Sequence, residues 1–202
     1  MTVKNSSRSA KIEFFNSTAE HWSPQLGQRE LLILQNLSER IREQTKISDL
    51  ILDVGCGTGI LFPFLRQRKF VGIDFSLAML HRSQQHSAPN LAGLVAADAH
   101  EFPFKDLSFG HIVFLSVIPH FDDKAQVFRE SHRILKGRGS LSIVHFLPAA
   151  RINEIHSKVG GPIAQDYLPS IKELGEALSE NGFRVEEFRE DDCYVLFARK
   201  CE

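Results

Sequence analysis

Residues 49–60 read Asp-Leu-Ile-Leu-Asp-Val-Gly-Cys-Gly-Thr-Gly-Ile, and no other stretch constrains the fold as tightly. Ile51, Leu52, Asp53 and Val54 have the order of a buried strand and run straight into three alternating glycines. The amphipathic stretch 60–68 follows at once, so the spacing predicts a strand that turns through glycines into a helix over 60–67. Such a turn lets bare backbone N–H groups and a helix N-terminus approach a ligand. About twenty residues further on, Val71-Gly72-Ile73-Asp74 ends a second apolar run on a carboxylate. Together these make the layout of a nucleotide-type site with an acid for ribose hydroxyls.

Strands and helices alternate through most of the remaining chain. Residues 9–22 suit a short amphipathic helix broken by Pro24, and 28–44 place Leu31, Leu34, Leu37 and Ile41 on one helical face. Strand 70–74 precedes helix 76–86, and strand 91–96 precedes an irregular stretch ended by Pro103. The apolar run 109–116 reads as a central buried strand. Helix 123–135 follows, with Asp122 or Asp123 as its N-cap and Gly137 just past its end, and then strand 139–146. Residues 148–169 contain Gly160, Gly161 and Pro162 and follow neither period. Helix 170–181 stops at Gly182, and strands 183–188 and 193–199 form a hairpin through Glu190-Asp191-Asp192.

The expected fold is therefore α/β and Rossmann-like, in a single domain over 1–202. Its open, mostly parallel sheet has seven strands, a C-terminal antiparallel hairpin and helices on both faces. Ligands bind such sheets beyond the carboxyl ends of the strands, where residues 53–59, Asp74, Asp98, Ser116 and His145 all fall.

Composition excludes several function classes. A formal net charge of -1 gives no global field toward nucleic acid or an anionic membrane. No apolar run approaches the roughly 20 residues that span a bilayer, and the polar N-terminus lacks a signal peptide's apolar core. Three cysteines without framework spacing fit a reducing cytoplasm. No histidine pair has ligand-like spacing, so no metal is expected.

The glycine spacing narrows the cofactor. A dinucleotide fingerprint needs its third glycine at position 60, which is Ile60, and a phosphate-binding loop needs a lysine, yet none occurs before Lys69. A ligand with a ribose but no pyrophosphate fits better.

Residues 51–59 (Ile-Leu-Asp-Val-Gly-Cys-Gly-Thr-Gly) resemble the first motif of class I S-adenosylmethionine-dependent methyltransferases. Residues 15–22 (Phe-Asn-Ser-Thr-Ala-Glu-His-Trp) are similar to the lead-in of the family's small-molecule branch, with Asn16 and Trp22 as departures. Gly72-Ile73-Asp74-Phe75-Ser76 resembles the second motif, and Ala97-Asp98-Ala99 with Phe102-Pro103-Phe104 the adenine-binding motif. Leu135-Lys136-Gly137-Arg138-Gly139 resembles a following turn in which proline is usual at position 137. The resemblance covers about residues 12–146 and is nearest the group that includes quinone-biosynthesis methyltransferases.

The resemblance implies S-adenosylmethionine as cofactor and a role for each matching residue. Gly55, Gly57 and Gly59 would let the loop approach the methionine moiety, with Ser116 lining that end and Asp53 fixing the loop or the cofactor amino group. Asp74 would take both ribose hydroxyls. Phe75 and Met79 would flank the adenine, and Asp98 with the Ala99 backbone would read its amino edge. Trp22 and Phe15 are candidates for the face beside the sulfonium.

Methyl transfer needs alignment more than a catalytic triad. Where a proton must leave, His145 and His120 are the candidate general bases, and His156 and Tyr167 are candidates for the acceptor pocket. The base- and glutamine-methylating signature is missing, since Leu115-Ser116-Val117-Ile118-Pro119-His120 stands in its place. A small-molecule acceptor under a cap from 8–25 and 146–169 is therefore expected, without nucleic acid or membrane, in a monomer or homodimer. The acceptor atom stays open among carbon, oxygen, nitrogen and sulfur. The alternative is a non-catalytic S-adenosylmethionine-binding regulatory module; a nicotinamide oxidoreductase is disfavoured by Ile60.

Overall fold

The structure, a computed structural model, describes residues 2–22, 26–86 and 88–202. Helices α1 (Thr2–Thr18) and α2 (Gln28–Gln44) precede β1 (Leu50–Val54), β2 (Lys69–Asp74), α3 (Leu77–Ser83), β3 (Leu91–Ala96) and β4 (Phe109–Leu115). Then come α4 (Lys124–Ile134), β5 (Leu135–His145), α5 (Ala149–Val159), α6 (Ile171–Glu180), β6 (Phe183–Glu190) and β7 (Tyr194–Lys200). One seven-stranded sheet has the order β3-β2-β1-β4-β5-β7-β6. Strands β1 to β5 pair in parallel, whereas β7 runs antiparallel to both β5 and β6. This is the expected Rossmann-like sheet, with its switch point between β1 and its neighbours β2 and β4.

Strand alternation divides the interior. Leu52, Val54, Ile112, Phe114, Leu141 and Ile143 pack with Phe128 of α4 and Leu174 of α6 on one face. Ile51, Val113, Leu115 and Val144 pack with Leu34, Leu37 and Ile41 of α2 on the other. A third, small cluster joins Phe15 and Ala19 to Met79 and Ile163.

Four local expectations are corrected. The helix expected over 60–67 is only a 3-10 turn, Phe62–Phe64, with proline near its start. Only 14 residues separate Val54 from Lys69. A parallel crossover needs about a dozen or more, and the glycine loop consumes the first of them. Leu61, Phe62 and Leu65 instead wedge into the α2 side of the sheet. Gly137 lies inside β5, because Leu135 pairs with Phe109 immediately after α4 ends. Residues 149–159, without clear periodicity, form α5, which buries only Ala149 and His156 and stops at Gly160 with φ 74°. Helix α1 ends at Thr18, whose hydroxyl donates back to Phe14 O at 2.9 Å, so Trp22 follows the helix; Pro24 lies outside the described residues.

On the α2 face, His111 is fully buried between two hydroxyls of β5, Ser140 Oγ at 2.7 Å from Nδ1 and Ser142 Oγ at 2.9 Å from Nε2. Burial, then the Arg199 charge, pushes its pKa down to about 3. The unfolded imidazole binds a proton near pH 6.5 and the folded one does not, so this contribution is present above that pH and lost as the pH falls toward 3. We expect the stability advantage of the wild type over His111→Gln to shrink by about 1.4 kcal/mol per pH unit below about pH 6. Urea denaturation of both proteins at stepped pH checks this.

Candidate active site

Beyond the carboxyl ends of β1, β2 and β4 two cavities adjoin, of about 310 Å3 and about 90 Å3. Gly55, Asp74, Phe75, Val117 and His120 line both. The larger also takes Ala97, Asp98, Ala99 and Gln126, and the smaller Asp53, Gly57, Met79 and Ser116. Helix α1 and the residue stretch after it supply Arg8 and Lys11 to the first cavity, and Phe15 and Trp22 to the second.

The glycine loop reaches this place because its glycines are left-handed, with φ of 65°, 51° and 83° at Gly55, Gly57 and Gly59. A Cβ on Gly55 would stand 2.3 Å from Val117 Cγ2, so the loops after β1 and β4 touch only because the side chain is absent. Gly59 lines neither cavity; a Cβ there would meet the Phe62 ring at 2.8 Å, so its bareness serves packing. Ser116 follows β4 with φ 55° and donates its N–H to Val144 O at 2.8 Å. A left-handed non-glycine residue beside a cavity is where such strain concentrates.

Asp74 pins the loop. Its Oδ2 accepts from Gly57 N at 2.9 Å and its Oδ1 from Ser76 N at 2.8 Å. A carboxylate offers about four acceptor positions, so room remains for ribose hydroxyls. Asp53 lies behind it, 2% exposed, and among the described residues no hydrogen bond reaches its carboxylate. Asp98 accepts from His100 Nδ1 at 2.6 Å and pairs with Arg8 at 2.9 Å. Burial opposes the charged form, yet His100 and then Arg8 hold its carboxyl below the usual range. Met79 is buried, its N–H donating to the capping hydroxyl of Ser76 at 3.2 Å. Trp22 is half-exposed and packs edge-on against Phe15 with ring centroids 5.4 Å apart.

The two histidines part company. His145 lines neither cavity, in contrast to the expected projection into the crevice. The period of two places it on the face of Leu141 and Ile143, where it is fully buried and packed edge-on to Tyr194 at 5.8 Å. Burial, then His120 and His156, pushes its pKa down to about 3. His120 lines both cavities, with Nδ1 2.6 Å from Asp166 Oδ2. The carboxylate commits Nδ1 as donor, which leaves Nε2 to accept a proton. Burial holds this imidazole below its ordinary value, against the upward pull of Asp166. His156 stands beside it with ring centroids 5.0 Å apart, its Nδ1 2.9 Å from Asp166 O, whereas Tyr167 is exposed and lines neither cavity.

Asp166 and Lys11 escape sequence reading. Asp166 comes from the stretch without periodicity and meets His120 across 46 residues of chain. Lys11 carried a faint signal, one helical turn before Phe15 on the face of α1 that meets the site.

The donor set suits a cationic nucleoside. Burial and the charge of Asp74 push Asp53 up to about 7, and burial pushes Asp74 up to about 6. A ligand with an ammonium and a sulfonium favours both in ionised form. Affinity for S-adenosylmethionine is therefore expected to rise with pH between about 5.5 and 7.5, with proton release on binding. Calorimetry in buffers of different ionisation enthalpy reads that release. Asp53→Asn should weaken binding about tenfold or more, as the loss of a charged partner costs about 1.5–3 kcal/mol, and flatten the pH dependence.

Residues 52–143 match the family model of a methyltransferase domain. A protein of Encephalitozoon cuniculi described as a methyltransferase is 32% identical over 156 residues, covering 67% of this chain and 70% of that protein. The demethylmenaquinone methyltransferase of Thermotoga maritima is 32% identical over 102 residues, 48% of this chain and 44% of that enzyme, so the match spans less than half of its length. Among solved structures, the magnesium protoporphyrin IX methyltransferase of Synechocystis, bound to S-adenosylhomocysteine, superposes with a TM-score of 0.74. It is 17% identical, and the match covers 96% of this chain and 99% of that one, a likeness of fold. The chain belongs to the class I S-adenosylmethionine-dependent methyltransferases, in the small-molecule branch.

Proposed function

We propose that this enzyme methylates a small organic acceptor whose nucleophile carries a proton, a hydroxyl above all, and that His120 takes that proton. The observation that carries the reading is an imidazole that lines both cavities with its Nδ1 2.6 Å from the Asp166 carboxylate. A base is useful near neutral pH only while unprotonated and within reach of the reacting group.

S-adenosylmethionine supplies an electrophilic methyl group on a sulfonium when bound. In this reading the larger cavity takes the adenosine, where Asp74 accepts from the ribose hydroxyls, Phe75 flanks the base with Met79 beside it from the smaller cavity, and Asp98 with the Ala99 backbone reads its amino edge. Asp53 faces the ammonium, and Gly55, Gly57 and Ser116 border the methionine end in the smaller cavity. Phe15 and Trp22 offer aromatic faces beside the sulfonium. His120 accepts the proton on Nε2, and Asp166 stabilises the imidazolium that forms.

In this reading residues 8–22 and 146–169 cap the acceptor, and 23–25, the rest of the expected first cap segment, lie outside the described residues. No described helix is long and apolar enough to cross a membrane. The near-neutral net charge supports a reading without nucleic acid, and the free cysteines support a reducing cytoplasm, where we place the enzyme as a monomer or homodimer. Incubation with methyl-labelled S-adenosylmethionine and a panel of phenols, quinols, amines and thiols tests the acceptor class. His120→Gln should lower kcat about 100-fold or more while S-adenosylhomocysteine affinity stays within about twofold. Turnover unchanged in that variant would remove His120 from the chemistry.

A further inference from the structure

The cap helix is fastened to the site by polar contacts at three places. Arg8 pairs with Asp98 at 2.9 Å, and Asn16 Oδ1 accepts from Ser76 Oγ at 2.7 Å and from Ala78 N at 3.2 Å. Between them, Lys11 Nζ reaches Asp166 Oδ1 at 2.7 Å, Asp122 Oδ1 at 2.8 Å and His120 O at 3.1 Å. These partners lie beyond strand ends, in the first turn of α3 or in the cap. The apolar contacts of α1 belong to the small third cluster, apart from the two sheet cores. Helix α1 is thus seated on the site and not built into the sheet. It also supplies Arg8 and Lys11 to the wall of the larger cavity and Phe15 to that of the smaller, so its seating shapes the space that a nucleoside would fill.

One of these fastenings reaches the chemistry. Asp166 has a carboxylate shared between two partners, with Oδ2 on His120 and Oδ1 on Lys11. We propose that Lys11 is a positioning residue that ties the closing of α1 to the protonation state of His120. The inference rests on His120 as the proton acceptor. With Lys11 seated, the Asp166 charge is compensated, and the imidazole keeps an oriented Nδ1 and an empty Nε2. With α1 lifted, the same carboxylate faces His120 alone and favours the imidazolium, which cannot accept a proton. Closing the site and arming the base become one event.

Other charged and titratable groups around His120 act alongside Lys11 and do not replace it. Asp122, on the neighbouring loop, takes Lys11's second hydrogen bond. Lys124, in the first turn of α4, donates to Phe121 O at 2.9 Å and attracts Asp166 at longer range. His156 of α5 and His145 of β5 both disfavour a further positive charge. Lys11 is the cation in direct contact with the carboxylate that holds the ring, and its ammonium is almost wholly withdrawn from solvent.

The test is an NMR titration of the histidine ring carbons in the protein loaded with S-adenosylhomocysteine, with His120→Gln used to assign the resonance. In Lys11→Met, the His120 midpoint should rise by about one pH unit or more, as expected for loss of a nearby charge, and α1 amides should exchange faster. Lys11→Arg should restore the wild-type midpoint. Lys11→Gln, which still hydrogen-bonds both carboxylates, replaces the methionine variant if that one does not fold. A midpoint within about 0.3 of wild type in folded, ligand-bound Lys11→Met, even with faster α1 exchange, would reduce Lys11 to a latch and overturn the inference. Failure of the base reading shows elsewhere, as unchanged turnover in His120→Gln.

Discussion

Asp74 is the interaction on which the site depends. One buried carboxylate takes the Gly57 N–H with one oxygen and the Ser76 N–H with the other, so the loops after β1 and β2 cannot move independently. Ser76 in turn caps α3 through Met79 N and donates its hydroxyl to Asn16 of α1. From a single strand end, hydrogen bonds therefore run to the glycine loop, the helix beneath the adenine side and the cap helix above it. Burial makes this carboxylate costly to ionise. In the proposed function, a ribose that adds two hydroxyl donors would offset part of that cost. The loop is held in place before the ligand arrives and held more firmly afterwards.

The buried titratable groups divide into two sets with opposite signs. His111 and His145, held at about 3, make the unfolded chain the better proton binder below about pH 6.5. Asp53 and Asp74, at about 7 and about 6, make the folded chain the better binder between about pH 4 and 7. In the empty protein the two sets work against each other across the same range. A cationic ligand ionises the carboxylates and removes the second set. The loaded protein is then the more acid-sensitive of the two, although it is the more stable at neutral pH.

The parts of the fold legible from the sequence rest on short-range rules. The strand order along the chain, an aspartate cap at 122 or 123, the glycine turn after β1 and the hairpin all follow from residues within one element or one turn. The helix expected over 60–67 fails for a reason outside any local window. Its amphipathic pattern is real, but the distance to β2 leaves no room for helix and return, and the apolar residues pack as a wedge instead. Helix α5 is hidden for the converse reason. Asn153 ties it to Leu168 by hydrogen bonds at 3.0 Å and 2.8 Å, so a distant backbone segment supplies what a buried stripe usually does. His145 shows how a correct strand end still leaves a side chain out of the cavities, since packing against Tyr194 of the antiparallel strand β7 buries it, and that pairing is a long-range contact.

The same distinction separates the two halves of the site. Asp53, Gly55, Asp74, Phe75, Asp98 and Ala99 each lie at or a few residues beyond a strand end, so the sheet itself sets their positions. His120, Asp166, His156, Lys11 and Phe15 come from separate segments that meet through long-range contacts of their side chains: the loop before α4, the stretch after α5, α5 itself and α1. Phe15 belongs to the small third cluster with Ala19, Met79 and Ile163, of which Phe15 and Met79 also line the smaller cavity. Substitutions in that cluster can therefore reshape the space beside the sulfonium without disturbing either sheet core. The donor end is tied to the fold and has a short-range signature. The acceptor end is tied to long-range contacts, and a sequence motif that names the first carries no information about the second.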